Sequence, residues 1–229
     1  MHNNKHSAPL IVIDGIDGAG KTTQAKLLVD HFQSLPNTQA AYLHFPRYDT
    51  FFGRTIARFL AGEFGDMENT SPYLCSITYA LDRMHAARDI QKAREAGTIM
   101  VTDRYVSSNL AHQGGRFRTP AEQAQFIAWN EELEYEQLAV ARESIVLLLD
   151  TTPQTATKLR AARGGEQDML EQDLLHQQAT YELYLQLATS SDHWHIIECH
   201  RDEGELKTPQ EIHTLIKEAL AASSLAKNG

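Results

Sequence analysis

Residues 10–28, LIVIDGIDGAGKTTQAKLL, decide the fold. Four consecutive aliphatic residues, Leu10, Ile11, Val12 and Ile13, make a strand covered on both faces, as parallel sheets require. Directly behind them, Gly15-Ile16-Asp17-Gly18-Ala19-Gly20-Lys21-Thr22 matches the pattern GxxxxGK(S/T) in full, and the next helix carries Leu28, Phe32 and Leu35 on an apolar period. Strand, glycine-rich loop and helix in this order form a phosphate cradle. The glycines let backbone N–H groups converge on a polyphosphate, and the helix N-terminus adds partial positive charge. Gly15, Asp17, Gly18, Ala19, Gly20, Lys21, Thr22 and Thr23 are therefore the expected contacts of a nucleoside triphosphate. Lys21 is expected at the β- and γ-phosphates and Thr22 at Mg²⁺.

Further short apolar runs follow at 40–45, 98–103, 144–150 and 193–198, separated by helix-length patterns at 52–61, 71–96, 119–141, 152–161, 168–189 and 208–222. Buried strands alternating with helices predict an α/β fold, a five-stranded parallel sheet with helices on both faces. Thr119-Pro120 and Thr208-Pro209 read as N-cap and first helical residue, and Gly97 stops the long helix before the third strand. No repeat or linker divides the chain, which is expected to be a short tail, 1–8, and one domain, 9–229. The polar break at 163–167, RGGEQ, marks a lid around 160–171.

The chain's 229 residues hold 42% hydrophobic and 22% charged side chains, an ordinary globular composition. A formal charge of -9 speaks against a surface built for a nucleic-acid backbone. Cys75 and Cys199 lack metal-ligand spacing and supply no disulfide framework, and the longest apolar runs fall far below the roughly 20 residues of a membrane helix. These features point to a cytoplasmic protein. His193 and His195 share a strand face, but the second ligand pair of a metal site is missing from the sequence around them.

A phosphate cradle alone does not choose between switch, motor and kinase. The DxxG and NKxD strings of a GTPase do not occur in their positions. Four further blocks do choose: Phe45-Pro46-Arg47-Tyr48, Tyr79-Ala80-Leu81-Asp82-Arg83, Asp103-Arg104-Tyr105 followed by Ser108-Asn109, and Asp168 with Glu171. With the DGAGKT loop, their order and spacing resemble the thymidylate kinases, over nearly the whole chain from Leu10 to about Leu220. The resemblance implies a P-loop nucleoside-monophosphate-kinase fold with a short lid, transfer of the γ-phosphate of ATP to dTMP with Mg²⁺, and a homodimer.

Asp103 ends an apolar strand, where ligands of open parallel sheets gather, and is placed like an acid of the Mg²⁺ shell together with Thr22 and Asp17. Arg104 can grip a phosphate in bidentate fashion, and the resemblance assigns it the acceptor phosphate. Tyr79 and Arg83 lie one helical turn apart on one face. The resemblance implies that Tyr79 stacks on thymine while Arg83 donates to O4, which cytosine lacks. Asn109 offers both an acceptor and donors, and with Ser108 and Gln113 forms the expected base-reading edge. His112 stands where the family more often has a tyrosine near the sugar. Phe45, Pro46, Arg47 and Tyr48 resemble the segment that frames the acceptor phosphate, with Arg47 as a second cation and Asp17 placed near it, and the resemblance adds Asp168 and Glu171 to the dTMP contacts beside the lid. Because Gly18 occupies the loop position where some relatives carry arginine, the transition-state cation is expected from Arg163 or Arg160. Lys21, Arg104, Arg163, Arg160 and Asp17 make up the expected catalytic set. Two alternatives remain open on the sequence: a kinase for another nucleotide or nucleoside, and a non-catalytic nucleotide-binding module.

Overall fold

The computed structural model describes residues 7–65, 69–163, 174–201 and 205–223, without the side chains of 160, 162 and 163. The side chains of Arg160 and Arg163, together with Asp168 and Glu171, lie outside the described residues, as do most of the expected lid and of the tail.

Among the described residues, five strands, β1 (Leu10–Asp14), β2 (Gln39–His44), β3 (Thr98–Asp103), β4 (Ile145–Asp150) and β5 (Trp194–Glu198), form one parallel sheet in the order β2-β3-β1-β4-β5. β1 sits at the centre between β3 and β4, and its five residues are all buried. Its aliphatic run is thus the middle of the core; truncating one of these side chains to alanine costs about 2–5 kcal/mol.

Among the described residues, eight α-helices accompany the strands: α1 (Lys21–Ser34), α2 (Phe51–Leu60), α3 (Pro72–Glu95), α4 (Val106–Gly114), α5 (Pro120–Glu131), α6 (Pro153–Arg163), α7 (Leu174–Thr189) and α8 (Pro209–Ala222). α1 packs beside α8, whereas α4 packs against both α3 and α7. Both Thr-Pro pairs cap as the sequence implies. Thr119 and Thr208 each accept from the backbone N–H three residues on, and Glu122 and Glu211 complete reciprocal capping boxes.

Two elements depart from the sequence reading. All nine residues of α4 are buried, so its polar side chains sit inside and no amphipathic period betrays the helix. The helix expected over 119–141 ends at Glu131 and passes into a π-helical segment, Glu132–Gln137.

Register places the chemistry. Ile13 of β1 pairs with Asp103 of β3, and Arg104 N donates to Ile13 O at 3.2 Å, so the phosphate loop and the Asp103-Arg104 corner leave the sheet side by side. Gly15 adopts φ 141°, and a Cβ there would lie 2.9 Å from Leu149 O, so the loop crosses the end of β4 only without a side chain.

Candidate active site

The phosphate loop opens onto α1 through Gly20, and no side chain caps the first helical N–H groups. Donors of this kind bind anions readily, and the helix field favours one. Lys21 is 7% exposed, and its ammonium donates to Gly15 O and Ile16 O at 2.8 Å each. Across the loop, Thr22 Oγ1 donates to Asp103 Oδ2 at 2.5 Å. Asp103 is buried, but hydrogen bonds from His44, Thr22 and Tyr42 outweigh that cost of burying its charge and hold its carboxyl below the usual range. Thr22 and Asp103 form a hard-oxygen pair, the donor type Mg²⁺ takes from a protein when nucleotide phosphates supply the rest. No group of three or more His, Cys, Asp or Glu able to hold a metal occurs among the described residues.

Beside the loop lies an open cleft built from several elements. Phe45, Pro46, Tyr48 and Leu60 line one side, and Tyr79, Asp82 and Arg83 come from α3. Arg104 and the α4 residues Ser108, Asn109, His112 and Gln113 close it. The structure therefore gathers most of the separate sequence blocks into one cavity. Tyr48 is at the rim, 47% exposed, and Phe45 is buried against Tyr105 with ring centroids 5.8 Å apart.

Arg47 sits behind this lining. Its Nε and Nη2 donate to Asp82 Oδ1 at 3.1 and 3.0 Å, and its backbone N donates to Asp82 Oδ2 at 2.8 Å. Thr50 ties the turn together, donating to Arg47 O at 2.9 Å while its oxygen accepts from Gly53 N at the start of α2.

Arg104 holds φ 63°, a left-handed conformation that costs a non-glycine residue about 1–2 kcal/mol. One Nη is paired with Asp17 and the other donates to His112 Nε2 at 3.1 Å. Asp17, expected near the metal, is thus held between cations: its carboxylate meets Arg104 and lies 3.6 Å from Lys21 Nζ. Burial, followed by the positive fields of Arg104, His176 and Lys21, pushes the His112 imidazole well below its ordinary pKa.

The base-reading expectations divide. Ser108 lines the cleft, but its hydroxyl donates to Asp14, as do Ser107 at 2.5 Å and Tyr184 at 2.7 Å. That carboxylate also accepts from Gly15 N at 2.9 Å, so Ser108 serves the seam between α4 and the phosphate loop. Gln113 Oε1 accepts from Arg116 at 2.9 Å. Arg83 and Asn109 converge on Glu134, a buried acid of the π-helical segment that the sequence did not single out. Asp14, Asp82, Tyr42 and His44 were missed as well. Asp82 had one usable signal: it stands next to Arg83 within the Tyr79–Arg83 block. Glu134 lies in an acidic surface-like run, Glu131 to Glu136, where nothing distinguishes it from its exposed neighbours.

The family model for thymidylate kinase matches residues 13–209. The thymidylate kinase of Mycobacterium tuberculosis is 33% identical over 205 residues, covering 86% of this chain and 94% of that relative. A probable thymidylate kinase of Pyrococcus abyssi is 31% identical over 157 residues, 68% of this chain and 71% of that one. The solved thymidylate kinase of Candida albicans shares the fold, with a TM-score of 0.74 at 20% identity, over 93% of this chain and 91% of its own. Sequence match, sheet order and cleft agree: the chain belongs to the thymidylate kinase family.

Proposed function

We propose that the cleft binds dTMP beside ATP on the phosphate loop, so that the chain carries out its family's reaction, ATP + dTMP → ADP + dTDP. The observation that carries this reading is the junction of two half-sites: Arg104, which lines the cleft, is ion-paired to Asp17 of the phosphate loop. One cation thereby touches both the acceptor cavity and the donor loop.

A phosphate monoester has its second pKa near 6, so the acceptor oxygen is largely anionic at neutral pH and needs no general base. Catalysis then rests on aligning two polyanions and spreading charge. Lys21 and the uncapped N-terminus of α1 serve the donor phosphates, Arg104 the acceptor phosphate, and Arg47 steadies the acceptor segment from behind through Asp82. Asp17 orients Lys21 and Arg104. Thr22 and Asp103 would hold Mg²⁺, which when bound draws charge from the transferring phosphoryl group. Tyr79 supplies the ring for the base, Arg83 and Asn109 its polar edge, and His112 faces the sugar. Arg163 or Arg160, with Asp168 and Glu171, completes the site from a lid over 160–171 that excludes water.

The same reading includes one domain over 9–229, a cytoplasmic location and a homodimer. No helix among the described residues is long and apolar enough to cross a membrane.

The test is ADP release with ATP and Mg²⁺ fixed and dTMP, dUMP, dCMP, UMP and deoxythymidine offered separately. Fast turnover of dTMP, slower turnover of dUMP and negligible turnover of the rest is expected. Turnover led by another acceptor overturns the substrate; nucleotide binding with no turnover overturns the reaction.

A further inference from the structure

We infer that Glu134 is a positioning residue that sets the donor and acceptor polarity of the base-reading edge, selecting a pyrimidine with a C4 carbonyl and an N3 hydrogen over one with a C4 amino group. This deepens the proposed function and rests on it.

Glu134 is fully buried, and its two oxygens collect donors from three elements. Arg83 of α3 presents Nε to Oε2 at 2.5 Å and Nη2 to Oε1 at 2.7 Å. Asn109 of α4 donates from Nδ2 to Oε1 at 2.9 Å, and Asn130 of α5 does so at 3.2 Å. A carboxylate with this many donors around it can only accept.

That property decides what Arg83 and Asn109 have left for a ligand. The fork on Glu134 takes the Nε hydrogen and one of the two Nη2 hydrogens. Nη1 remains, and among the described residues it has no protein acceptor, while Arg83 lines the cleft. Asn109 Nδ2 also donates to Ser76 O at 3.2 Å, so both amide hydrogens point at groups that cannot donate. The amide therefore has one permitted orientation, which leaves Oδ1 as the side-chain atom available to the cleft. The resulting edge is a donor end, Arg83 Nη1 with the second Nη2 hydrogen, beside one acceptor, Asn109 Oδ1. Thymine and uracil present the complement, an O4 acceptor beside an N3–H donor. Cytosine presents the reverse, so donor meets donor and acceptor meets acceptor. Mismatched buried polar groups of this kind are a strong source of discrimination.

The local backbone is built for this placement. Within the π-helical segment the ladder runs one residue wide of an α-helix, with Leu138 N donating to Leu133 O at 3.0 Å, which changes the angular register of the residues it contains. Glu134 is the buried residue of the segment.

The test compares wild type with Glu134→Gln, which is isosteric but offers one acceptor oxygen and adds two donors. It measures kcat/KM for dTMP and dCMP, KM for ATP, and the melting temperature. The dTMP KM is expected to rise about tenfold or more and the dTMP:dCMP ratio to fall by about as much, with the ATP KM within about twofold. In combination with Arg83→Met, the losses should fall well short of multiplying, because both act through one contact. A folded Glu134→Gln enzyme whose ratio stays within about twofold of wild type, or which loses dTMP and ATP affinity equally, overturns the inference. If Glu134→Gln does not fold, Glu134→Asp carries the test, since it keeps an acceptor-only side chain. Its ratio should stay within about threefold while the dTMP KM rises, and collapse of the ratio with the charge intact overturns the assignment. Wild-type failure to phosphorylate dTMP would count against the proposed function; wild-type success with an insensitive Glu134→Gln would count against this inference alone.

Discussion

Replacing Gly53 by alanine would put a methyl group where the acceptor segment's backbone already lies. A Cβ at this position falls 1.8 Å from Arg47 O, 2.3 Å from Arg47 C and 2.8 Å from Tyr48 N. Ordinary carbon contacts lie near 3.5 Å or beyond, so the 47–48 backbone must retreat by roughly 1.5 Å. No rotamer change relieves the clash, because all three atoms are main chain. The segment is also tied down from the other side. Thr50 donates to Arg47 O at 2.9 Å, and Arg47 N donates to Asp82 Oδ2 at 2.8 Å, so the shift breaks bonds that hold the cleft wall of Phe45, Pro46 and Tyr48. Misplacing a positioning group by about 1 Å costs on the order of 100-fold in rate, or about 2.7 kcal/mol. An opposing effect exists: within a helix, alanine is about 1 kcal/mol better than glycine. The clash outweighs that gain, and the two effects move the assay in opposite directions. Steady-state ADP release with dTMP varied at saturating ATP should show kcat/KM lowered about 100-fold, while the ATP KM stays within about twofold. A variant with dTMP kcat/KM within about threefold of wild type and a raised melting temperature would show that helix propensity wins and refute the close approach.

Three further outcomes are expected. Lys21→Ala should lower kcat about 100-fold or more with a melting curve close to wild type, given the proposed role of its ammonium at the donor phosphates; undiminished turnover would contradict that role. Arg83→Met should raise the dTMP KM far more than the ATP KM and also lower stability by about 3–5 kcal/mol, because it strands the buried Glu134 charge; denaturant melts equal to wild type would argue that Glu134 finds other compensation. His112→Gln tests a linkage with a definite sign. Burial and the cations around it depress the folded-state pKa of His112, so below the ordinary value near 6.5 the unfolded chain binds a proton that the fold resists. Its contribution is complete above about pH 6.5 and is lost as pH falls, by at most about 1.4 kcal/mol per unit, so the variant should lose less stability than wild type between about pH 7 and 5. Equal losses would place the acid sensitivity elsewhere.

The parallel sheet and phosphate loop were legible because each rests on short-range requirements. An aliphatic run covered on both faces needs no knowledge of its neighbours, and the loop's glycines, lysine and threonine are specified within eight residues. The cleft's membership was legible only as blocks carried by resemblance. α4 was not legible: Ser107, Ser108, Asn109, His112 and Gln113 are polar yet buried, and an inward polar face erases the amphipathic signal that marks a helix. Ser108 shows the cost of reading a motif without its surroundings. Its hydroxyl is well placed in sequence beside Asn109, but Asp14 of β1, 94 positions away, takes it.

By itself, then, the amino-acid sequence determined an α/β sheet with a phosphate cradle, because local backbone geometry and hydrophobic pattern are properties of neighbouring residues. Tertiary structure decided which atoms of the candidate site remain available to bind. Arg83 and Asn109 each have several hydrogen-bonding atoms, and the choice among them belongs to Glu134, 51 positions from one and 25 from the other. Hydrogen-bonding capacity is written in the side chain. What is left of it depends on every partner the fold brings within reach.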